Sequence, residues 1–170
     1  MFSLRRAEQR DADAAIDLVR QSTIYLCVAD HHNDAATLAT WLANKTPQNF
    51  LKWLSTPENF CVVVESAGRL LGVGVLHRSG EILLFYLAPD AQRRGIGTMI
   101  HAALEKKAAQ WGVTSLHLDS TALARPFYEA LGYQPDGAAV TRFGVLQCFP
   151  YSKQLQYSNS SEGTTADRRA

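Results

Sequence analysis

The sequence predicts an α+β fold in three layers, with a mixed, mostly antiparallel central sheet and helices on both faces. Runs of β-forming residues alternate with segments of helical periodicity, which indicates that strands and helices share one core. Three consecutive strand candidates are joined by short turns, which is typical of an antiparallel meander. With 170 residues, 46% of them apolar, the chain can bury one core of ordinary size. We therefore expect a single domain.

The first 54 residues predict one strand followed by helices. A short strand is expected over Phe2–Arg6, and Asp11 or Asp13 is expected to cap the helix that follows. From Tyr25 to Leu54 the helical pattern continues but is interrupted at Pro47. We expect two short helices in this segment.

The middle of the chain predicts three antiparallel strands. Residues 59–65 and 70–77 are rich in β-formers, and the turn at 66–69 joins them. A second turn at 78–80 leads into residues 81–87, whose nearly continuous apolar run suits a central strand covered on both faces.

The last part of the chain alternates helices and strands. An amphipathic helix is expected over 96–111, a strand over 114–119, a helix over 122–131 and a late strand over 140–149. The predicted order is β-α-α-β-β-β-α-β-α-β. We assign residues 1–155 to the domain, and the polar, Ser/Thr-rich residues 156–170 to a disordered tail.

The charge balance limits the kinds of partner. Lys plus Arg number 17 and Asp plus Glu number 16, for a net charge of +1, which gives no basic surface for nucleic acid or an anionic membrane. Three widely spaced cysteines fit neither a disulfide framework nor a zinc site. No apolar run is long enough to span a bilayer, and we expect a cytoplasmic protein with a small-molecule or peptide partner. The sequence does not distinguish a monomer from a homodimer.

The segment Gln92–Thr98 has the character of an anion site. It follows an apolar strand, carries Gly95 and Gly97, and opens an amphipathic helix. Glycines expose backbone N–H groups, and the helix adds its free N-terminal donors and the positive end of its dipole, so a pyrophosphate is the expected ligand. Glycines are also common at helix starts for purely structural reasons. A dinucleotide-binding fingerprint would need a third glycine, which Thr98-Met99-Ile100 does not supply.

Two motifs in this order resemble the GNAT acetyltransferase family. The spacing Gln92-Arg93-Arg94-Gly95-Ile96-Gly97 is similar to the coenzyme A signature of that family, and Ala124-Arg125-Pro126-Phe127-Tyr128 with Gly132-Tyr133 resembles its second element. The resemblance covers residues 2–155 and implies a GNAT-like fold. It also implies an enzyme, an N-acetyltransferase that transfers acetyl from acetyl-CoA to a primary amine of a small molecule or peptide. The alternative is a non-catalytic acyl-CoA-binding module of the same fold.

The resemblance also implies roles for individual residues in binding acetyl-CoA. The loop residues would hold the pyrophosphate through backbone amides and guanidinium groups, and the central strand would pair with the pantetheine arm and supply an oxyanion-stabilising N–H near Leu87. Many family members carry a pantetheine-binding polar residue in the neighbourhood that Ser120 and Thr121 occupy here, and of these two we select Thr121. The implied cofactor-binding residues are Phe85, Tyr86, Leu87, Gln92, Arg93, Arg94, Gly95, Ile96, Gly97, Thr98 and Thr121.

Two residues are catalytic candidates on the same basis. An amine attacks only as the free base, so a proton must leave it first, and Glu81 aligns with the general-base position of several family members. Glu81 could instead simply end a turn, with water as the base. Tyr128 matches the family tyrosine thought to protonate the departing thiolate, although it could also be a packed helix residue.

The remaining polar and aromatic features give weaker signals. The adjacent His31 and His32 cannot both face one ion from a regular helix, so no metal is expected. Trp41 and Trp53 could form an aromatic wall for a cationic amine, but aromatics at helical spacing more often belong to a core. The segment Asp30–Leu54 has no specific counterpart in the family motifs, and we expect it to determine substrate choice.

Overall fold

The computed structural model describes residues 1–157. Most of the predicted tail, residues 158–170, lies outside the described residues. The strands are β1 Ser3–Arg6, β2 Asn59–Ser66, β3 Arg69–His77, β4 Ile82–Leu87, β5 Ser115–Ser120, β6 Gln134–Pro135, β7 Val140–Arg142 and β8 Leu146–Gln154. The helices are α1 Ala12–Leu26, α2 Val28–His31, α3 Ala35–Leu42, α4 Pro47–Ser55, α5 Ile96–Gln110 and α6 Arg125–Ala130, with 3₁₀ turns at Gln9–Asp11 and Pro89–Ala91.

The strands form two half-sheets with helices on both faces, so the predicted α+β class is confirmed. The first half-sheet has the antiparallel order β1-β2-β3-β4, and the second has the order β5-β8-β6 with β7 paired to β8. Helix α5 packs where Gly72 and Gly74 of β3 leave room, since a Cβ at either would lie 2.6 Å from the side chain of Ile100. Val73 and Val75 point to the opposite face, are fully buried, and are covered by α1.

In the described part of the chain, the half-sheets meet at one junction, between the start of β4 and the middle of β5. The His117 N–H donates to the Gly80 carbonyl at 3.0 Å, and Glu81 and His117 form a parallel bridge. Gly80 has φ 95°, and a Cβ there would collide with the Ser115 carbonyl oxygen. Only glycine therefore allows the two backbones to approach this closely.

A β-bulge in β4 immediately follows this junction. Val75 pairs with Leu84 and Leu76 pairs with Ile82, so Leu83 is an extra residue without a partner in β3. Bulges bend and twist the strand that carries them. Beyond Leu83, β4 and β5 therefore diverge and leave a cleft between them.

The structure differs from the predicted element order in three places, the first being the short unpredicted strand β6, Gln134–Pro135, which pairs with β8. Residues 25–54 hold three helices instead of two, because α2 ends at His32 and Asn33 with positive φ, and Asp34 then caps α3 by accepting from the Thr37 N–H at 2.8 Å. The predicted strand 140–149 is a hairpin of β7 and β8, turned at Phe143 and Gly144 with positive φ.

The predicted helix cap near residue 11 also has a different role. Asp11 precedes α1, but its carboxylate accepts hydrogen bonds from Arg5 at 2.8 and 2.9 Å and from the Glu8 N–H at 2.8 Å. The Arg5 hydrogen bonds, as the largest cause, lower the pKa of Asp11. Asp11 therefore ties the end of β1 to the start of α1 and makes no cap to the first turn of α1.

A buried histidine links α5 to the end of α6. His101 is 3% exposed, its Nε2 lies 2.8 Å from the Tyr133 hydroxyl, and its Nδ1 lies 3.5 Å from Glu105, which also pairs with Lys153. Burial lowers the pKa of His101 to about 4, although Glu105 opposes this shift. The imidazole is therefore neutral at pH 7.

We predict that His101 makes the fold sensitive to acid. An unfolded histidine titrates near 6.5, so between this value and the native pKa of about 4 only the unfolded state binds the proton. The free energy of unfolding should fall as the pH drops through this window, by roughly 3 kcal/mol at most. Urea unfolding of the native protein and of His101→Gln at pH 7 and pH 4.5 measures this term. An equal loss in both proteins would contradict it.

Candidate active site

The opening between β4 and β5 forms the main cleft, with a volume of about 640 Å³. Ligand sites commonly have volumes of about 300 to 1,000 Å³. The cleft walls come from β4, from the loop before α5, from β5 and the turn after it, and from the end of α1. They include the predicted residues Phe85, Tyr86, Leu87, Gln92, Arg93, Gly95, Gly97, Thr98, Thr121 and Tyr128.

Gly95 shapes the predicted anion loop at the floor of the cleft. It precedes α5 with φ 80° and no side chain caps the helix, while the Met99 N–H donates to the Gly95 carbonyl at 3.0 Å. The N–H groups of the first helical turn are therefore left for a ligand. Gly97 has a second role, because a Cβ there would lie 3.1 Å from the Phe127 ring that it packs against.

The two loop arginines take different positions. Arg93 lines the main cleft and has φ 57°. Arg94 instead stacks its guanidinium 4.9 Å from the ring centroid of Phe2 and does not line the cleft. Ile96 is fully buried in the core, so only its backbone can face a ligand.

One edge of β4 faces the cleft. The Ala88 N–H donates to the Leu71 carbonyl at 2.9 Å, on the side of β3. Successive N–H groups of a strand point to opposite edges, so the Leu87 N–H points toward the cleft, as does that of Phe85. Within residues 1–157, the cleft edge of β4 meets β5 only at the Glu81–His117 bridge. Its remaining backbone groups are placed to pair with an extended ligand.

Tyr128 lies in α6 at the wall opposite β4. Its side chain is 5% exposed, and its ring contacts Phe85, Phe127 and Tyr133 at centroid distances of 5.9, 5.2 and 5.4 Å. Burial, and next the neighbouring Tyr86, raise the pKa of Tyr128 above the ordinary tyrosine value. The hydroxyl is therefore protonated at neutral pH and can donate a hydrogen bond.

The turn after β5 is held by a residue from a distant part of the chain. The Asp30 carboxylate accepts from the Ala122 N–H at 2.6 Å, and the Thr121 hydroxyl accepts from the Ala124 N–H at 3.2 Å. Ser120 donates to the Thr121 carbonyl. The predicted Thr121 thus lines the cleft and also begins the turn into α6. No local pattern points to Asp30, because its partners are about ninety residues away in sequence.

Glu81 does not line the main cleft. It lies in a smaller neighbouring space of about 180 Å³, the side pocket, whose walls also include Trp41, Lys45, Arg142 and Phe143. The two spaces share five residues, namely Ile82, Leu83, Tyr86, Asp119 and Thr121. Glu81 is therefore next to the main cleft, on the far side of Tyr86.

The other sequence features are separated by the fold. Trp41 lines the side pocket, whereas Trp53 packs against the main core, so the two do not form one aromatic wall. His31 is buried, with Nε2 3.0 Å from the Thr23 carbonyl. Among residues 1–157, no group of three or more His, Cys, Asp or Glu side chains could hold a metal ion.

The fold and the cleft define a class of protein, the acyl-CoA-dependent transferases built on a split sheet. The family model described as "Acetyltransferase (GNAT) domain" matches residues 27–155. The chain therefore belongs to the GNAT acetyltransferase family, as its two motifs predicted, and is an N-acetyltransferase. No curated protein matches the chain in sequence.

Solved structures support the same assignment. A GCN5-related N-acetyltransferase from Rhodopseudomonas palustris is 25% identical with a TM-score of 0.80, covering 90% of this chain and 95% of its own. The PaiA N-acetyltransferase from Thermoplasma acidophilum, solved with coenzyme A, is 17% identical with a TM-score of 0.79, at 91% and 99% coverage. The ribosomal-protein-S18-alanine N-acetyltransferase from Escherichia coli is 15% identical with a TM-score of 0.68, at 95% and 98% coverage.

Proposed function

We propose that the enzyme transfers acetyl from acetyl-CoA directly to a primary amine of a small molecule or peptide. The observation that carries this proposal is the unpaired edge of β4, which runs along the main cleft between the anion loop and Tyr128. An extended thioester could lie along this edge like an added strand. The thioester would supply the acetyl group, and the protein groups around it would bind, orient and exchange protons.

The chemistry of the main cleft walls suits coenzyme A. Arg93 and the amides of Gly95–Thr98 would hold the pyrophosphate, because a helix N-terminus without a side-chain cap attracts an anion. The backbone of Phe85–Leu87 would pair with the pantetheine arm, with Thr121 on the opposite side. Gln92 would border the same channel, while Arg94 would contribute only at longer range, since it stacks on Phe2.

The Leu87 N–H would stabilise negative charge on the thioester oxygen during attack. It points from the free edge of β4 into the cleft, and the strand holds it in position before any ligand arrives. A preorganised donor of this kind lowers the barrier because it needs no reorganisation during the reaction.

The cysteines near the cleft favour direct attack by the amine. Cys27 lines the main cleft, and burial raises its pKa to about 12. Cys148 lines the side pocket, and burial raises its pKa to about 11. Both are therefore neutral thiols at pH 7 and poor nucleophiles, which argues against an acyl-cysteine intermediate.

Glu81 and Tyr128 would exchange the protons of the reaction. Glu81 would take the proton of the incoming ammonium in the side pocket, directly or through a water. Tyr128 would donate a hydrogen bond or a proton to the departing thiolate, whose own basicity rises in the same desolvated cleft.

A screen of amines for thiol release from acetyl-CoA tests the proposed reaction. Steady thiol release that depends on an amine, with the acetylated amine identified by mass spectrometry, is the expected result. Tight binding of acetyl-CoA without turnover of any amine would overturn the proposal.

The described helices include none that is long and apolar enough to cross a membrane. We further propose a cytoplasmic location, which suits the free thiols of Cys27, Cys61 and Cys148.

We predict that Gly95→Ala weakens binding of acetyl-CoA. A Cβ at φ 80° meets no neighbour, so the change adds only backbone strain of roughly 1 to 2 kcal/mol, which the loop can relieve by leaving the conformation that exposes its amides. Gly112→Ala is the matched control, with φ 73°, no neighbour and no place in the cleft. Thermal unfolding should show similar destabilisation, whereas calorimetry should show about tenfold weaker binding for Gly95→Ala alone. Equal affinities would contradict the role of the loop.

We predict that Tyr128→Phe lowers kcat by about a hundredfold, the usual scale of a general acid, with little change in the Kd for acetyl-CoA. The ring still packs against Phe85 and Phe127, so only the hydroxyl is lost. Tyr133→Phe is the matched control, because its hydroxyl bonds to His101 in the core and lies outside the cleft. An unchanged kcat in Tyr128→Phe would remove Tyr128 from the mechanism.

We predict that Glu81→Gln shifts the rising limb of the pH–rate profile to higher pH. Without a carboxylate base, the rate should follow the fraction of amine that is already deprotonated, which increases toward the amine's pKa near 10. Glu58→Gln, an exposed change outside both pockets, is the control. A profile identical to that of the native enzyme would leave water as the base.

A further inference from the structure

The side pocket combines two distant segments of the chain beside the proposed reaction centre. Trp41 and Lys45 come from α3 and the turn after it, and Phe143 comes from the turn between β7 and β8. The pocket adjoins the main cleft at Tyr86 and contains Glu81. The inference below rests on the proposed function, because it treats this pocket as the acceptor site.

Lys45 is an unusual wall residue because its charge is buried. The residue is 5% exposed, its Nζ donates to Asn44 Oδ1 at 2.8 Å, and Nζ lies 4.9 Å from the ring centroid of Phe143. Within residues 1–157, no carboxylate lies within ion-pair distance of it. Burial lowers the pKa of Lys45 from 10.5 to about 8, so most of the side chain is still cationic at pH 7. A buried cation without an anion is costly to the fold.

Of the charged side chains that line the side pocket, some form ion pairs with each other and some do not. Arg142 donates to Asp119 through Nε at 2.6 Å, so these two compensate each other. Glu81 has no ion-pair partner in the part of the chain that the structure describes. The pocket therefore presents one carboxylate without an ion pair, the exposed Glu81, and one ammonium without an ion pair, the buried Lys45.

We propose that the side pocket binds an amine that also carries a carboxylate, with the carboxylate on Lys45 and the amine facing Glu81. Such a zwitterionic acceptor supplies the anion that Lys45 lacks and directs its amine toward the proposed base. The Trp41 and Phe143 rings would cover the carbon atoms between the two charges. A volume of about 180 Å³ equals the share of about six waters in the liquid, at about 30 Å³ each, which suits one amino acid, either free or as a C-terminal residue whose side chain carries the amine.

Sets of matched acceptors test this inference without altering the protein. Each set contains an amino acid, its amide and the amine that lacks the carboxylate, for example 4-aminobutanoate, 4-aminobutanamide and propylamine, or alanine, alaninamide and ethylamine. A tripeptide with a free C-terminus and its C-terminal amide distinguish a peptide source from a free amino acid. We expect kcat/KM to be at least about tenfold higher for the carboxylate member of one set. Equal use of all three members in every set would overturn the inference.

Variants of Lys45 identify the group that recognises the carboxylate. Lys45→Met keeps much of the side-chain volume and removes the charge, and Lys45→Arg keeps the charge. We expect Lys45→Met to raise KM for the carboxylate acceptor about tenfold more than KM for the matched amine, while Lys45→Arg keeps part of the preference. Lys52→Met, an exposed change on α4 outside both pockets, should behave like the native enzyme. Equal losses on both acceptors would show that Lys45 only supports the fold.

Direct binding separates failure of this inference from failure of the proposed reaction. Calorimetric titration of the same acceptors into the enzyme saturated with coenzyme A needs no turnover. If no amine is acetylated, yet the carboxylate acceptor binds the native enzyme and not Lys45→Met, the reaction is wrong and the pocket assignment holds. Absence of binding by every carboxylate-bearing amine would overturn the assignment, whatever the turnover.

Discussion

The backbone junction at Gly80, Glu81 and His117, where the half-sheets meet within residues 1–157, is the constraint on which the rest of the site depends. It includes the hydrogen bond of 3.0 Å from the His117 N–H to the Gly80 carbonyl, and only a glycine allows the close approach to the Ser115 carbonyl. The bulge at Leu83 then turns β4 away from β5. A closed sheet would satisfy the edge of β4 with another strand. The split sheet leaves that edge unpaired, and the same feature creates both the cleft and the donors that line it.

The position of the junction also sets where chemistry can occur. Glu81 lies at the junction itself, and the Leu87 N–H lies at the far end of β4, where the anion loop begins. In the proposed reaction, the acceptor would lie in the side pocket and the thioester in the main cleft, and Tyr86 lines both. Because Tyr128 packs against Phe85, the proposed proton donor is held against the same strand that supplies the oxyanion donor.

The sequence could predict the parts of the site that depend on local order. The loop around Gly95 can be predicted because glycines before an amphipathic helix form a pattern of neighbouring residues. Helix α6 with Tyr128 can be predicted because it follows a short motif. The bulge at Leu83, the Asp30 contact to Ala122 and the outward stacking of Arg94 on Phe2 were not predictable. Each depends on partners that are distant in sequence, so no local periodicity or spacing encodes it.

The same distinction explains why the family was recognisable while the acceptor was not. The proposed cofactor side is built mainly from one continuous stretch, residues 82–128, in which spacing along the chain sets geometry. The side pocket takes Lys45 from the segment between β1 and β2 and Phe143 from the turn between β7 and β8, and these two segments are distant in sequence. Residues in those two segments can change without disturbing the loop or Tyr128. In the proposed enzyme, acceptor choice could therefore vary while cofactor binding is kept, and the buried charge of Lys45 is the feature by which the acceptor choice of this chain can be tested.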